Sequence, residues 1–298
     1  MTSSPWPIGV ITAIVTPLRD DRLDKAALAA LIDFQIGGGA VGLVVGGGTG
    51  EYAAMNIDER MELVREAVSA ARGRIPIIAQ TGAIATRDAV RLSRDAEEAG
   101  ASGLLIASPY AEPISWRERL AFYREVTAAV SIPVMIYNTP PSGILTMAQV
   151  RELAELPNVS AIKDSSGDPE LLGDLIAFAA ERDFGVYLGK DSLLYEAIVT
   201  GARGVVFGVP NFIPEVIAKT IADIRAKGST PGTLADWAKL RPFLRFIETS
   251  SNYISLCKLG CKVRGVDVGE ARAPYLMPEA GEAAIFTEWV ETLTAPKR

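Results

Sequence analysis

The sequence predicts an α/β protein: a (β/α)8 TIM barrel with a C-terminal helical extension. Three observations point there. Short apolar stretches begin near residues 9, 42, 75, 103, 133, 159, 184 and 204, each followed by a helical pattern. These stretches are apolar on both faces, as strands of a parallel sheet covered on both sides are. After residue 214 the pattern is helical throughout. Eight strand–helix units of this size fit a closed barrel better than a doubly wound open sheet, which is the alternative.

The first strand is GVITAIV, from Gly9. The second, fourth and eighth share a repeat, Gly-Ala-x-Gly followed by apolar residues: GAVGLVV from Gly39, GASGLLI from Gly100 and GARGVVF from Gly201. The first glycine suits a left-handed helix C-cap and the second a tight turn into a buried strand. The third and fifth begin with Ile-Pro, in IPIIAQ from Ile75 and IPVMIY from Ile132, where proline removes no ladder hydrogen bond. VSAIK from Val159 and FGVYLG from Phe184 supply the sixth and seventh. Ser115 with Glu118, and Thr146 with Gln149, have capping-box spacing. Asp168-Pro169 reads as an N-cap followed by proline at the first helical position. Met61, Val64, Val68 and Ala71 fall on one helical face. The barrel is expected over 1–226 and the packed helical region over 227–298, with no Pro/Gly/Ser-rich linker between them.

Composition narrows the chemistry. The net charge of −6 argues against general affinity for nucleic acid or an anionic membrane surface. No apolar run reaches the roughly 20 residues of a membrane span, and the opening MTSSPWPIGV lacks the pattern of a signal peptide. Cys257 and Cys261, four apart, read as reduced, packed thiols, so a cytoplasmic location is expected. The 298 residues contain no histidine. That removes histidine triads, histidine general bases and histidine-ligated metals, and leaves acid–base work to Lys, Tyr, Asp, Glu, Ser or Thr.

In such barrels the active site lies at the C-terminal strand ends. Two lysines fall there. Lys163 follows VSAI directly and is expected as the last residue of its strand, facing the barrel mouth or wall. Lys190 precedes Asp191, an expected helix N-cap, and is expected to face solvent. In a dry pocket an amine is favoured over an ammonium and can attack a ketone to form a Schiff base. The other reading of Lys163 is a lysine paired with Asp164. Tyr137 ends the adjacent strand, where its phenol could move protons or simply hydrogen-bond at the rim. The loop GGGTGE, with Thr49 in it, lets backbone N–H groups approach a carboxylate, or merely turns tightly. It has neither a P-loop nor a dinucleotide fingerprint.

Together GGGTGE, SPY, IYNTP, IKDSSGD and GARGVVFGVPN resemble the dihydrodipicolinate synthase / N-acetylneuraminate lyase family over roughly residues 8 to 290. The resemblance implies a TIM barrel assembled as a homo-oligomer, tetramer or dimer. It implies aldolase chemistry through a lysine Schiff base on a small 2-keto acid such as pyruvate, with no metal or organic cofactor. It implies Lys163 as the Schiff-base lysine, Tyr137 as proton shuttle, and Gly48 and Thr49 as the carboxylate-binding pair. Val206 matches a backbone carbonyl at the site, and Tyr110 the first tyrosine after the fourth strand. Three positions depart from dihydrodipicolinate synthases: Gly48 replaces the first of two threonines, Ala111 a second tyrosine, and Ser142 is nearest to an aldehyde-clamping arginine. A keto-deoxy sugar acid dehydratase or decarboxylase, like 5-dehydro-4-deoxyglucarate dehydratase, is therefore an alternative. A non-catalytic keto-acid-binding protein on the same scaffold is another, and a phosphate-binding barrel enzyme a third.

Overall fold

The computed structural model describes residues 5–295. Residues 1–4 and 296–298, the outer ends of the two expected regions, lie outside the described residues. Eight parallel strands form one closed barrel: β1 (Gly9–Ala13), β2 (Gly42–Val45), β3 (Ile77–Gln80), β4 (Gly103–Ile106), β5 (Val134–Asn138), β6 (Val159–Asp164), β7 (Gly185–Leu188) and β8 (Gly204–Phe207). Ile11 of β1 pairs with Gly42 on one side and Val206 on the other, so the sheet has no edge. That closure excludes the open doubly wound sheet.

Around the barrel run α1 (Lys25–Gly37), α2 (Ile57–Ala71), α3 (Thr86–Glu98), α4 (Trp116–Ala128), α5 (Met147–Leu153), α6 (Pro169–Ala180), α7 (Leu194–Thr200) and α8 (Pro214–Lys227). The starts expected at Ser115, Thr146 and Asp168 hold. Both capping boxes form, and Asp168 accepts from the backbone N–H groups of Glu170 and Leu171. In α2 the buried stripe is centred on Leu63, Val64, Ala67 and Ala71, with Arg60 at its end. Met61 and Val68 lie on its flank, because the barrel wall rather than the mean of the apolar pattern sets the helix rotation.

Gly39, Gly100 and Gly201 have φ of +87°, +90° and +115°, the left-handed conformation expected where a helix stops. The second glycine of the repeat serves another purpose than turning. A Cβ at Gly204 would stand 2.0 Å from the Gly9 carbonyl oxygen, and one at Gly103 2.7 Å from the Trp6 ring. These glycines let strand starts pack at the barrel floor.

Side chains alternate along each strand. Ile11, Val44, Ile78, Met135, Ala161 and Val206 fill the barrel interior. Their neighbours Val10, Leu43, Leu104 and Ile162 face the helices in a second, larger cluster. Met135 and Ala161 point inward, so Tyr137 and Lys163, two residues on, have inward parity at the mouth.

The extension comprises α9 (Pro231–Thr249), α10 (Tyr253–Val263) and α11 (Ala280–Thr294). Phe212, just after β8, meets Phe243 of α9 at 6.1 Å and Phe286 of α11 at 5.3 Å between ring centroids. At Gly260 of α10 a Cβ would lie 2.4 Å from the Phe212 ring, so α10 rests directly on the barrel. Cys257 and Cys261 are free and buried on one face of α10. Burial pushes both thiols up, Cys261 to about 12. Among the described residues no helix is long and apolar enough to cross a membrane.

Candidate active site

Tyr137 and Lys163 are register partners across the β5–β6 ladder, and the Lys163 Nζ stands 4.2 Å from the Tyr137 ring centroid. Lys163 is 7% exposed. It is the penultimate residue of β6, not the last, since Asp164 still pairs with Asn138. The pairing of Lys163 with Asp164 is not what the structure has. Asp164 accepts from Asn138 Nδ2 at 2.7 Å and from Ser166 Oγ at 2.8 Å. Asn138 in turn receives the Leu145 N–H on its Oδ1. This chain of bonds fixes the ends of β5 and β6 and with them the two inward side chains. Burial raises the Tyr137 phenol, but the Lys163 charge and hydrogen bonds with Ser165, Thr139 and Lys163 outweigh it, so the net shift is downward.

The loop after β2 carries Gly48, exposed, and Thr49, partly buried. Its shape is held from below. Thr16 donates to the Gly50 carbonyl at 2.7 Å, and the Glu51 N–H to the Gly48 carbonyl at 3.0 Å. Glu51 adopts a left-handed φ of +62°, and its carboxylate is buried. There it forms a 2.6 Å ion pair with Lys258 of α10, both side chains 0% exposed. Glu51 also accepts the Arg272 N–H at 2.7 Å, while Lys258 donates to the Glu270 carbonyl at 2.8 Å. A buried pair of this kind is tolerated only when its remaining hydrogen bonds are made.

Val206 lies in the interior layer of β8. Two residues on, Gly208 is hemmed in: a Cβ there would be 2.7 Å from the Tyr253 ring and 3.0 Å from Thr49 Cγ2. Thr49 and Tyr253 of α10 therefore both close on Gly208 at the end of β8. Tyr110, partly buried, sets its ring edge-on to Tyr52 at 6.1 Å. Ser142 is turned away into the loops: its Oγ donates to the Ser108 carbonyl at 2.9 Å. Ala111 is exposed.

Asp191 is not the helix cap expected of it. Its side chain is 4% exposed and takes the Tyr253 hydroxyl, 3.3 Å from each carboxylate oxygen. Neither does Lys190 stand free in solvent. It leans 3.6 Å from Glu248 of α9 and is 36% exposed. A single sequence carries no sign of either arrangement, because the partners, Tyr253 and Glu248, come from helices some 60 residues downstream.

The arrangement holds a buried amine with a phenol beside it, a glycine loop with Gly48 exposed, and a ring of groups from β5, β6, β8 and α10. The sequence profile of the dihydrodipicolinate synthetase family matches residues 7–292. A 4-hydroxy-tetrahydrodipicolinate synthase of Bacillus subtilis (strain 168) is 35% identical over 275 residues, covering 90% of this chain and 92% of that protein. The crystal structure of dihydrodipicolinate synthase from Aquifex aeolicus superposes with a TM-score of 0.90 at 28% identity, covering 98% of this chain and 99% of that one. YagE, a prophage protein of E. coli K12 solved in complex with pyruvate, gives a TM-score of 0.90 at 27% identity over 96% and 98% of the two chains. The chain belongs to the dihydrodipicolinate synthetase family.

Proposed function

We propose that the protein is a Schiff-base-forming lyase or aldolase acting on pyruvate or a longer 2-keto acid. The observation that carries this reading is the buried Lys163 amine, held over the Tyr137 ring at 4.2 Å and free of any ion pair within 4.0 Å among the described residues. Its family membership and the pyruvate bound to a relative of the same fold support it.

In this reading the Lys163 amine attacks the ketone. The protonated imine becomes the electron sink for the carbanion left by carbon–carbon cleavage or proton removal. Tyr137, its phenol shifted toward easier ionisation by the adjacent cation, moves the proton. The Gly48–Thr49 loop receives the keto acid's carboxylate, so the carbonyl is presented to the amine in a fixed orientation. Tyr110 and the β8 carbonyl at Val206 border the bound acid.

One observation favours a narrower second reading. The Ser142 hydroxyl is spent on the Ser108 carbonyl, and Ala111 offers no polar group. Neither position supplies a cation or phenol for a second, carboxylate-bearing aldehyde, which favours a keto-deoxy sugar acid that is dehydrated or decarboxylated. We also infer a homo-oligomer, dimer or tetramer, which sedimentation measures. The deciding experiment is borohydride reduction with a panel of 2-keto acids, followed by peptide mass spectrometry. An adduct is expected on the peptide containing Lys163; its absence with every acid removes the reading.

A further inference from the structure

Near the Lys163 amine, beyond ion-pair distance, lies a buried carboxyl to which the resemblance described above assigns nothing. Asp191 follows β7, two residues after Gly189, where a Cβ would stand 2.7 Å from Lys163 Cε. The groups facing Asp191 are Lys163 from β6, Tyr253 and Cys257 from α10, and Glu248 from α9. Glu248 is itself occupied, by Ser192 Oγ at 2.7 Å, Arg245 at 3.1 Å and Lys190 at 3.6 Å. Tyr253 accepts the Gly208 N–H at 3.1 Å, which leaves its own proton for Asp191. No cation lies within ion-pair distance of Asp191 among the described residues, although the site next to it is where an iminium forms in the proposed reaction. The other nearby acid, Asp164, is committed to Asn138 and Ser166.

We propose that Asp191 gives up its proton as Lys163 condenses with the keto acid, and remains as the counter-ion of the iminium, with Tyr253 holding the new carboxylate. This rests on the Schiff-base reading of Lys163. The balance is simple. A bond forms between the amine nitrogen and the carbonyl carbon, and the carbon–oxygen bond breaks. The oxygen leaves as water and needs two protons. The amine nitrogen supplies one and keeps one; the Asp191 carboxyl supplies the other. A neutral amine and a neutral acid become an iminium and a carboxylate, and net charge is unchanged. A buried cation is costly without an opposing charge, and a resident carboxylate is equally costly without a cation. A carboxyl that ionises only when the iminium forms avoids both. Burial first, and then the charge of Glu248, push Asp191 up to about 7, with Lys163 and the Tyr253 hydroxyl pulling it back.

The test is the number of protons exchanged when pyruvate binds, read by calorimetry in buffers of different ionisation enthalpy. Wild type is compared with Asp191→Asn, each also trapped with borohydride. Near pH 6 the variant should take up about one more proton per pyruvate than the wild type, and near pH 8.5 the difference should vanish, because Asp191 is then ionised beforehand. The variant should still yield the Lys163 adduct but bind pyruvate about tenfold or more weakly, the size of a unit shift in a titration. Tyr253→Phe, which removes only a hydroxyl, should move the proton-exchange transition to higher pH. Equal proton counts near pH 6, or an unmoved transition in Tyr253→Phe, would overturn the role of Asp191 while leaving the adduct intact. Failure of the wild type to form an adduct on Lys163 would instead overturn the Schiff-base reading, and this proposal with it.

Discussion

Tyr137 and Lys163 face one another because strand side chains alternate and because β5 and β6 pair in register. If the phenol moves the proton, Tyr137→Phe should keep the borohydride-trapped imine and lose about 10²–10⁴ in kcat, the usual worth of a general acid–base step. Unchanged turnover would remove Tyr137 from the chemistry. Asp191 gives a second residue-scale test. An ordinary aspartate loses its proton near 3.8, whereas the folded protein holds the Asp191 proton to about 7. Between those values the native state binds more protons than the unfolded one, so stability falls as pH rises. The contribution is intact below about 3.8 and lost as pH passes about 7. Asp191→Asn should therefore melt at a Tm that declines less between those pH values, by an amount on the order of a few kcal/mol in stability. Parallel Tm curves would show that Asp191 is not strained by its burial.

At the scale of elements, the glycine-rich loop is shaped by what lies under it. The Glu51–Lys258 pair joins that loop to α10, and the Arg272 N–H joins it to the segment beyond. Lys258→Met should leave Glu51 buried and unpaired, costing about 3–5 kcal/mol, whereas the double replacement Glu51→Leu with Lys258→Met should recover much of that loss. Denaturant unfolding of the three proteins decides it; a double variant no more stable than the single one would mean the pair does not act as a unit. The GGGTGE motif was legible as a tight turn from its glycines. What holds it open was not, because Lys258 is more than two hundred residues from Glu51. The helix starts were legible for the opposite reason: capping boxes such as Ser115 with Glu118 span three residues and need no tertiary partner.

For the whole molecule, the helical region is better regarded as the far wall of the site than as an appendage. Phe212 of the barrel is clasped by Phe243 and Phe286, Gly260 presses on it, and Tyr253 reaches Gly208 and Asp191. We expect thermal unfolding of the full chain to show one cooperative transition, with near-ultraviolet and far-ultraviolet circular dichroism coincident. A separate early transition of α9 to α11 would mean instead that the helical region expected over 227–298 unfolds independently of the barrel.

The barrel, its strand starts, the caps at Ser115, Thr146 and Asp168, and a lysine near the end of the sixth strand were all readable in the chain alone. Each of those is written in continuous apolar runs, local turns and short spacings, and the two-residue repeat of strand geometry carries Tyr137 and Lys163 inward with the rest of their strands. The turn of Asp191 away from its helix toward Tyr253, the bond between Ser142 and Ser108, and the pairing of Glu51 with Lys258 arise only once the chain is folded. Those are pairings between buried polar groups far apart in the chain, and a buried charge or hydroxyl takes whatever partner the fold brings within reach, since leaving it unpaired costs more than any local preference.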